Sequence, residues 1–388
     1  MKTIARILAA LLALSLLFAA GCAKNEPANT PAPTLPASSA ADPGDTTEPG
    51  SADVSDPAAE QAQKLGLDPD EAVVKINGQP VAAREFLYWA NATFSSWGVN
   101  DADWDLDVEG LTVEELLNEN VISSVKLYRA VEIKCAELGV TLPEADEEEI
   151  ANARANLIAQ YGSEEAYRKA LSDSYLTEDL YNYMLRTSYL YSYLFEKVCG
   201  VNGENTSDEE AVAFGNENGF LRAKHILLSR TDDEGNELSA EEYQKRYEKL
   251  EELIAVLDAS DDPVAKFDEL MHEYSEDPGV ANYPDGYQWI EGAMVPSFEE
   301  AARSLDDYGY SGVVEMAEYG YTVVMRLPLD PEAVAINDDF GYTLRMNAAA
   351  GNFDTILTGW ADELDVEYLP AYEKLDYRTA LSATVSDK

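Results

Sequence analysis

Histidine and cysteine are scarce in this chain, which limits the chemistry that it can carry out. The 388 residues include two histidines, His225 and His272, and three cysteines. The sequence contains no CxxC pair and no cluster of histidine with cysteine, so we expect no metal site. His225 begins an apolar run and is the more informative of the two histidines. His272 lies on a predicted helix face, where we expect it to be exposed and without a role.

Basic residues are also few, and this excludes two classes of partner. Lysine and arginine number 27 against 74 aspartates and glutamates, for a formal net charge of -47. Such a surface repels phosphate groups, so we expect neither nucleic acid nor an anionic lipid surface as a partner. We interpret the acidic excess as a source of solubility. Affinity for basic segments of unfolded proteins is a weaker alternative.

Residues 1–22 have the pattern of an export signal. Lys2 and Arg6 precede the apolar run "ILAALLALSLLFAA", which is too short and too early for a comfortable membrane span. The run ends in "FAAGC" and resembles the bacterial lipoprotein signal, in which the cysteine is lipidated and becomes the new N-terminus. We therefore expect a lipid anchor at Cys22 on the extracytoplasmic face of the cell membrane, although such signals more often have leucine in place of Ala19. An ordinary secretory signal is the alternative.

A flexible linker is predicted to follow the signal, from residue 23 to residue 70. The segment is rich in Pro, Ala, Ser, Thr, Gly and Asp and contains no aromatic residue. Because it cannot bury enough apolar surface to fold, we interpret it as a tether between the anchor and the folded domains.

Residues 71–218 have the pattern of a helical domain that opens with the short strand "VVKING". Thr112 and Glu115 form a capping box, and Gly139 is a helix-stop signal. Helices are predicted at 83–94, 112–138, 144–161, 163–172 and 177–199. Tyrosines crowd the last helix, where packing is one interpretation and a surface that grips peptides is another. Cys135 and Cys199 lie near helix ends, and export permits either a disulfide or two buried thiols.

Residues 219–330 change to a mixed pattern of strands and helices. "RAKHILLS" reads as a strand, helices are predicted at 239–257 and 264–274 and over "SFEEAARSL", and "YGYTVVMRLPL" closes the region as a buried strand. This order predicts a small domain with an antiparallel sheet, so we expect the whole chain to be of the α+β class. The segment 331–388 contains a predicted helix at 352–364 and the strand "VEYL", and we expect it to pack back on the helical domain.

Four motifs in the mixed region carry a resemblance to a known family. They are "RAKHILLS", "FDELMHEYSEDPG", "NYPDGYQWIEGAMVPSFEEAARSL" and "GYTVVMRL". In this order and spacing they resemble a parvulin-type peptidyl-prolyl isomerase domain. The upstream region around "VVKING" resembles the N-terminal chaperone domain of the SurA and PrsA proteins. The resemblance implies a four-stranded antiparallel sheet with surrounding helices, an extracytoplasmic foldase and no cofactor.

The resemblance also assigns residues to a site. In the family, two histidines, an acidic or cysteine residue and an apolar slot for the proline ring share one face. The first histidine matches His225, and the acidic position in "YSED" matches Asp277. The strand "GYTVV" has Thr322 where the family has its second histidine. The residues expected to bind or back the substrate are Met294, Phe298, Trp289 and Tyr287.

The threonine divides the functional prediction into two hypotheses. A threonine hydroxyl can donate or accept a hydrogen bond, so we expect His225 to be hydrogen-bonded to Thr322. On the first hypothesis the chain is a prolyl isomerase of reduced activity that helps exported proteins fold. On the second it is a holdase chaperone whose parvulin domain only binds. In both, the expected partners are unfolded or partly folded exported polypeptides, and a homodimer is left open.

Overall fold

The structure is a computed structural model that describes residues 56–98, 103–108, 110–232, 234–338 and 340–381. The predicted signal peptide, Cys22 and most of the predicted linker lie outside the described residues. The last part of the linker prediction is wrong: Pro57–Lys64 is a helix, and Ala62 and Leu67 are buried in the apolar core of the first unit. Within them, no helix is both long enough and apolar enough to cross a membrane.

The chain divides into two compact units. The second unit is Asn202–Gly351, and the first comprises the described residues before and after it. The predicted division at 218/219 and 330/331 differs from these limits and stays a prediction. The difference has a physical cause, because Phe220 packs with Leu329, Ala335 and Leu344 in one apolar cluster, which ties the flanking segments to the second unit.

The first unit is mainly helical around a small sheet. Its helices are α1 (Pro57–Lys64), α2 (Ala83–Trp97), α3 (Val113–Leu138), α4 (Glu144–Tyr161), α5 (Glu164–Asp173), α6 (Glu178–Cys199) and α12 (Tyr377–Leu381). Its strands are β1 (Ala72–Ile76), β2 (Gln79–Ala82), β3 (Asp107–Val108), β4 (Leu111–Thr112) and β9 (Val366–Tyr368). β1 lies between β2 and β9, and both pairings are antiparallel. The chain after the second unit therefore returns to the strand that opens the first.

Local signals account for the helix limits of the first unit. The Thr112 side chain accepts a hydrogen bond from Glu115 N, and the Glu115 carboxylate accepts one from Thr112 N, which starts α3. Gly139 ends α3 with a φ of 65°. Cys135 and Cys199 are two buried thiols that are not joined in a disulfide.

The second unit is an antiparallel sheet with helices on both faces. The strands are β5 (Phe220–Ser229), β6 (Tyr287–Ile290), β7 (Val314–Met316) and β8 (Gly320–Arg326), in the order β6-β5-β8-β7. The helices are α7 (Asp208–Glu217), α8 (Ala240–Asp258), α9 (Pro263–Tyr274) and α10 (Pro296–Arg303). The α+β class and the four-stranded antiparallel sheet predicted from the sequence are confirmed.

The helix after this sheet is longer than predicted. It is α11 (Leu344–Asp362), whereas the sequence indicated 352–364. The prediction missed its first turns, which belong to the second unit, where Leu344 joins the apolar cluster around Phe220.

Strand periodicity divides the side chains of the sheet between two apolar layers. Ile226 and Val323 face α8 and α9, with Leu250 and Phe267 among their neighbours. Alternate residues of the same strands, such as Leu227 and Val324, face α10. Because successive side chains of a strand point to opposite faces, His225 lies on the α10 face.

Candidate active site

A loop that folds along β5 places an acidic residue beside His225. β6 pairs with residues 220–223 of β5, and further along β5 hydrogen bonds are made to Ser275 and Glu276. Leu227 N donates to Ser275 Oγ at 3.1 Å, and Glu276 N donates to Leu227 O at 2.8 Å. Ser229 N donates to Glu276 Oε2 at 2.9 Å. The loop is therefore held against the edge of β5, and this brings Asp277 beside His225.

His225, Asp277 and Tyr287 form a cluster of three polar groups. His225 Nε2 lies 3.6 Å from Asp277 Oδ2, and the Tyr287 hydroxyl donates to the same oxygen at 2.6 Å. The other carboxylate oxygen, Oδ1, accepts from Gly279 N at 3.0 Å, which caps the short 3-10 helix Pro278–Ala281. Asp277 is therefore both the turn residue that its Pro-Gly context indicates and the acidic neighbour of His225.

Burial sets the protonation of this cluster. His225 is only 7% exposed, and burial lowers the pKa of its imidazole, while the Asp277 carboxylate opposes that shift. Burial and the hydrogen bond to Asp277 raise the pKa of Tyr287. At neutral pH the cluster therefore contains a neutral imidazole and a phenol that retains its proton.

An apolar slot adjoins the cluster. The His225 and Phe298 rings meet edge to face with centroids 5.1 Å apart, and Trp289 lies 5.4 Å from Phe298. Met294 and Tyr287 are half-buried and contribute accessible surface, whereas Phe298 is 2% exposed. Trp289 is 0% exposed, so of the two roles expected for it, lining the slot or backing it, the structure favours the second: it supports Phe298 from behind.

The predicted hydrogen bond between His225 and Thr322 is wrong. The Thr322 hydroxyl donates to Ile226 O at 3.1 Å, and no hydrogen bond joins it to His225 among the described residues. The register explains this, because Thr322 is paired with Leu227 and His225 with Val324. Thr322 is fully buried and its hydroxyl holds the two strands together.

Sequence reasoning missed Glu299, the residue that organises the loop carrying Met294. Its buried carboxylate accepts hydrogen bonds from Trp289 Nε1 at 3.0 Å, Gly292 N at 2.9 Å and Met294 N at 3.0 Å. The available signal was an acidic residue in the first turn of a helix whose N-cap, Val295, has no capping side chain.

Within the part of the chain that the structure describes, no group of three His, Cys, Asp or Glu side chains could hold a metal ion. What the site offers is a neutral imidazole, a hydrogen-bonded carboxylate and an adjoining apolar surface to which Met294 and Tyr287 contribute.

Comparisons with known proteins agree with this geometry. Residues 211–326 match the family model described as the PPIC-type PPIase domain. Foldase protein PrsA of Oceanobacillus iheyensis is 28% identical over 205 residues, which are 52% of this chain and 60% of that protein. Foldase protein PrsA of Staphylococcus aureus strain MRSA252 is 26% identical over 170 residues, 42% of this chain and 47% of that protein. The chain thus spans about half of the length of these curated relatives.

Solved structures were compared as well. The crystal structure of PrsA from Bacillus subtilis is 21% identical and covers 70% of this chain and 91% of its own, with a TM-score of 0.20. The type of the domain is identified by the family match over residues 211–326 and by the order of the strands in the sheet. Residues 211–326 match a PPIC-type, or parvulin-type, peptidyl-prolyl isomerase domain, and about half of the chain is similar to foldase proteins named PrsA.

Proposed function

We propose that the chain is a peptidyl-prolyl cis-trans isomerase that assists the folding of exported proteins. The observation that carries the proposal is the apolar slot at Met294 and Phe298, which lies directly beside the neutral imidazole of His225. A buried polar cluster next to an accessible apolar surface is what a proline ring and its preceding carbonyl require.

The chemistry of the reaction fits such a site. Rotation about an Xaa-Pro bond breaks amide resonance, and the barrier is about 18–20 kcal/mol. Catalysis breaks no covalent bond, so it depends on binding the twisted amide more tightly than the planar one. We assign the proline ring to the slot of Met294 and Phe298, supported by Trp289. His225 and Asp277 then face the rotating carbonyl as polar partners.

We assign the remaining predicted site residues to supporting roles. Thr322 acts through the backbone. Its hydroxyl donates a hydrogen bond to Ile226 O, and this bond keeps β8 and β5 in register beside His225. Tyr287 borders the slot and donates to Asp277.

The setting of the enzyme is also part of the proposal. We propose lipidation at Cys22, attachment to the extracytoplasmic face of the cell membrane, and a flexible linker over the part of residues 23–70 that precedes α1. Residues 71–218, with 331–388 returning to them, would form a chaperone domain for unfolded exported polypeptides. The pairing of β9 with β1 supports that return. Substituting Cys22→Ser should abolish incorporation of labelled palmitate and release the chain from the membrane fraction.

The decisive experiment is an isomerisation assay on the full chain. A proline peptide with a fluorogenic or NMR-resolved cis form is mixed with protein whose fold is verified by circular dichroism. We expect catalysis above the uncatalysed rate and a loss of about tenfold in kcat/KM for Met294→Ala, which removes the accessible part of the slot. A folded chain with no rate above background would refute the isomerase proposal.

One observation favours a second candidate, a holdase without catalysis. Thr322 occupies the position of the second family histidine, and its hydroxyl is committed to Ile226 O instead of His225. A holdase should suppress aggregation of an unfolded client equally well when Met294 and Phe298 are both changed to alanine. Loss of suppression in that folded variant would count against this candidate.

A further inference from the structure

The contact between Tyr287 and Asp277 is tighter than an incidental packing contact. The phenol donates to Asp277 Oδ2 at 2.6 Å, the length of a charge-assisted hydrogen bond. The same oxygen lies 3.6 Å from His225 Nε2, beyond hydrogen-bonding distance. Asp277 Oδ1 is held from the other side by Gly279 N at 3.0 Å. Two donors therefore fix the carboxylate, and neither donor is the imidazole.

Gly279 indicates that this position of the phenol is built into the chain. A Cβ atom on Gly279 would lie 1.7 Å from the Tyr287 hydroxyl oxygen and 3.2 Å from Asp277 Oδ1. Gly279 is not among the residues with a positive φ, so its backbone conformation does not require glycine. The absence of a side chain there is needed because the phenol occupies the space.

The position of Tyr287 in the sheet brings its side chain within reach of both His225 and Asp277. Tyr287 is the first residue of β6 and is paired with Ala223, two residues before His225 on the same face of β5. Its ring lies 5.8 Å from the His225 ring and 4.8 Å from the ring of Tyr283. The side chain therefore extends past the end of β6 toward the loop that carries Asp277.

We propose that Tyr287 is a positioning residue whose hydroxyl holds the Asp277 carboxylate in place beside the His225 imidazole. This inference rests on the proposed isomerase function. Without the phenol, the carboxylate would turn toward Nε2 of His225, form an ion pair and alter the charge that meets the substrate carbonyl. Burial lowers the pKa of the His225 imidazole and the Asp277 carboxylate opposes that shift, so a carboxylate that moved closer to the imidazole would raise this pKa.

Tyr287→Phe tests the proposal, because it removes the hydroxyl and keeps the ring. The chain has two histidines, so an NMR titration of the imidazoles resolves His225 against the exposed His272 as an internal reference. We expect the variant to raise the titration midpoint of His225 and to lower kcat about tenfold, with KM changed less than twofold. The control is Tyr283→Phe, in the neighbouring half-exposed tyrosine, which should leave both measurements at wild-type values.

The outcomes separate the two proposals. An unchanged His225 titration in Tyr287→Phe overturns the positioning role, whatever the activity. If the wild-type chain shows no isomerase activity, the proposed function fails, and the titration alone still decides the positioning role. Gly279→Ala should displace the phenol and reproduce the effect of Tyr287→Phe on the titration. The variant that combines Gly279→Ala with Tyr287→Phe should then shift the titration midpoint of His225 by less than the sum of the two single shifts. An additive shift would contradict the proposal.

Discussion

Replacing Glu299 by alanine should weaken the second unit and loosen the proline slot together. The carboxylate accepts hydrogen bonds from the Trp289 indole and from the amides of Gly292 and Met294. Trp289 is fully buried, so its N–H would lose its acceptor with no water to replace it. Gly292 and Met294 lie on a loop with solvent access, so their amides can turn to water.

The expected loss in the free energy of unfolding follows from these differences in burial. An orphaned buried donor costs about 1–3 kcal/mol, and each loop amide loses about 0.5–1 kcal/mol when water replaces the carboxylate. Loss of the anion near the N-terminus of α10 adds about 0.5 kcal/mol. Removing a buried charge recovers part of its desolvation cost. We therefore expect Glu299→Ala to destabilise by about 2–4 kcal/mol, and Glu299→Gln by about 1 kcal/mol, because the amide oxygen still accepts from the indole.

The assay combines stability and activity. Urea unfolding followed by circular dichroism gives the free energy of unfolding, and peptide titration in the isomerase assay gives KM under native conditions. KM should rise in Glu299→Ala because the loop that carries Met294 is no longer held. Glu300→Ala, an exposed neighbour in the same helix, is the matched control. If Glu299→Ala and Glu300→Ala differ by less than about 0.5 kcal/mol, the reasoning is refuted, since that is within the range of ordinary surface changes.

Three further predictions concern ionisable groups that are buried or partly buried. Burial raises the pKa of Asp354 from 3.8 to about 6, so its stabilising contribution is full below pH 3.8 and is lost as pH rises through about 6. Asp354→Asn should therefore raise the free energy of unfolding by about 1 kcal/mol at pH 7.5, after allowance for solvent screening, and by nothing at pH 3. Arg129→Ala leaves the Glu85 carboxylate, 3.1 Å from the guanidinium, buried without its partner. This should cost about 3–5 kcal/mol in urea unfolding, much of it restored by adding Glu85→Gln. Burial lowers the pKa of His225 below 6.5, so its contribution is present above pH 6.5 and is lost as pH falls below that value. When pH is lowered from 7.5 to 5.5, the free energy of unfolding should therefore fall less in His225→Gln than in the wild-type chain. An equal fall in both would contradict the conclusion that the His225 imidazole is neutral in the folded chain.

Local chemistry was sufficient to predict the class of fold and most of the helices, although it missed α1 and the first turns of α11. The capping box at Thr112 and the glycine at 139 place α3 within one residue of its predicted limits. The alternation of "RAKHILLS" assigned β5 to a strand, and its pairing with the "GYTVV" strand is antiparallel. Such features depend on residues within one helical turn or one strand, so they can be recognised from the sequence alone.

The tertiary structure alone decided the partners within the site. Strand periodicity places His225 and Thr322 on the same face, but the register sets them against different residues, and the threonine hydroxyl bonds to a backbone carbonyl. Asp277 reaches His225 because a loop pairs with the end of β5, and Tyr287 reaches Asp277 because Gly279 leaves room.

The same reasoning explains why Glu299 escaped prediction. Its three donors come from β6 and the following loop, which are brought to α10 only when the chain packs on the sheet. The sequence by itself determined most of the helices and strands, the α+β class and several of the residues that meet at the site, among them His225 and Asp277. Which of these residues are hydrogen-bonded to one another was left to the folded chain, because a hydrogen bond needs a particular distance and direction between two groups, and contacts between segments far apart in sequence supply both.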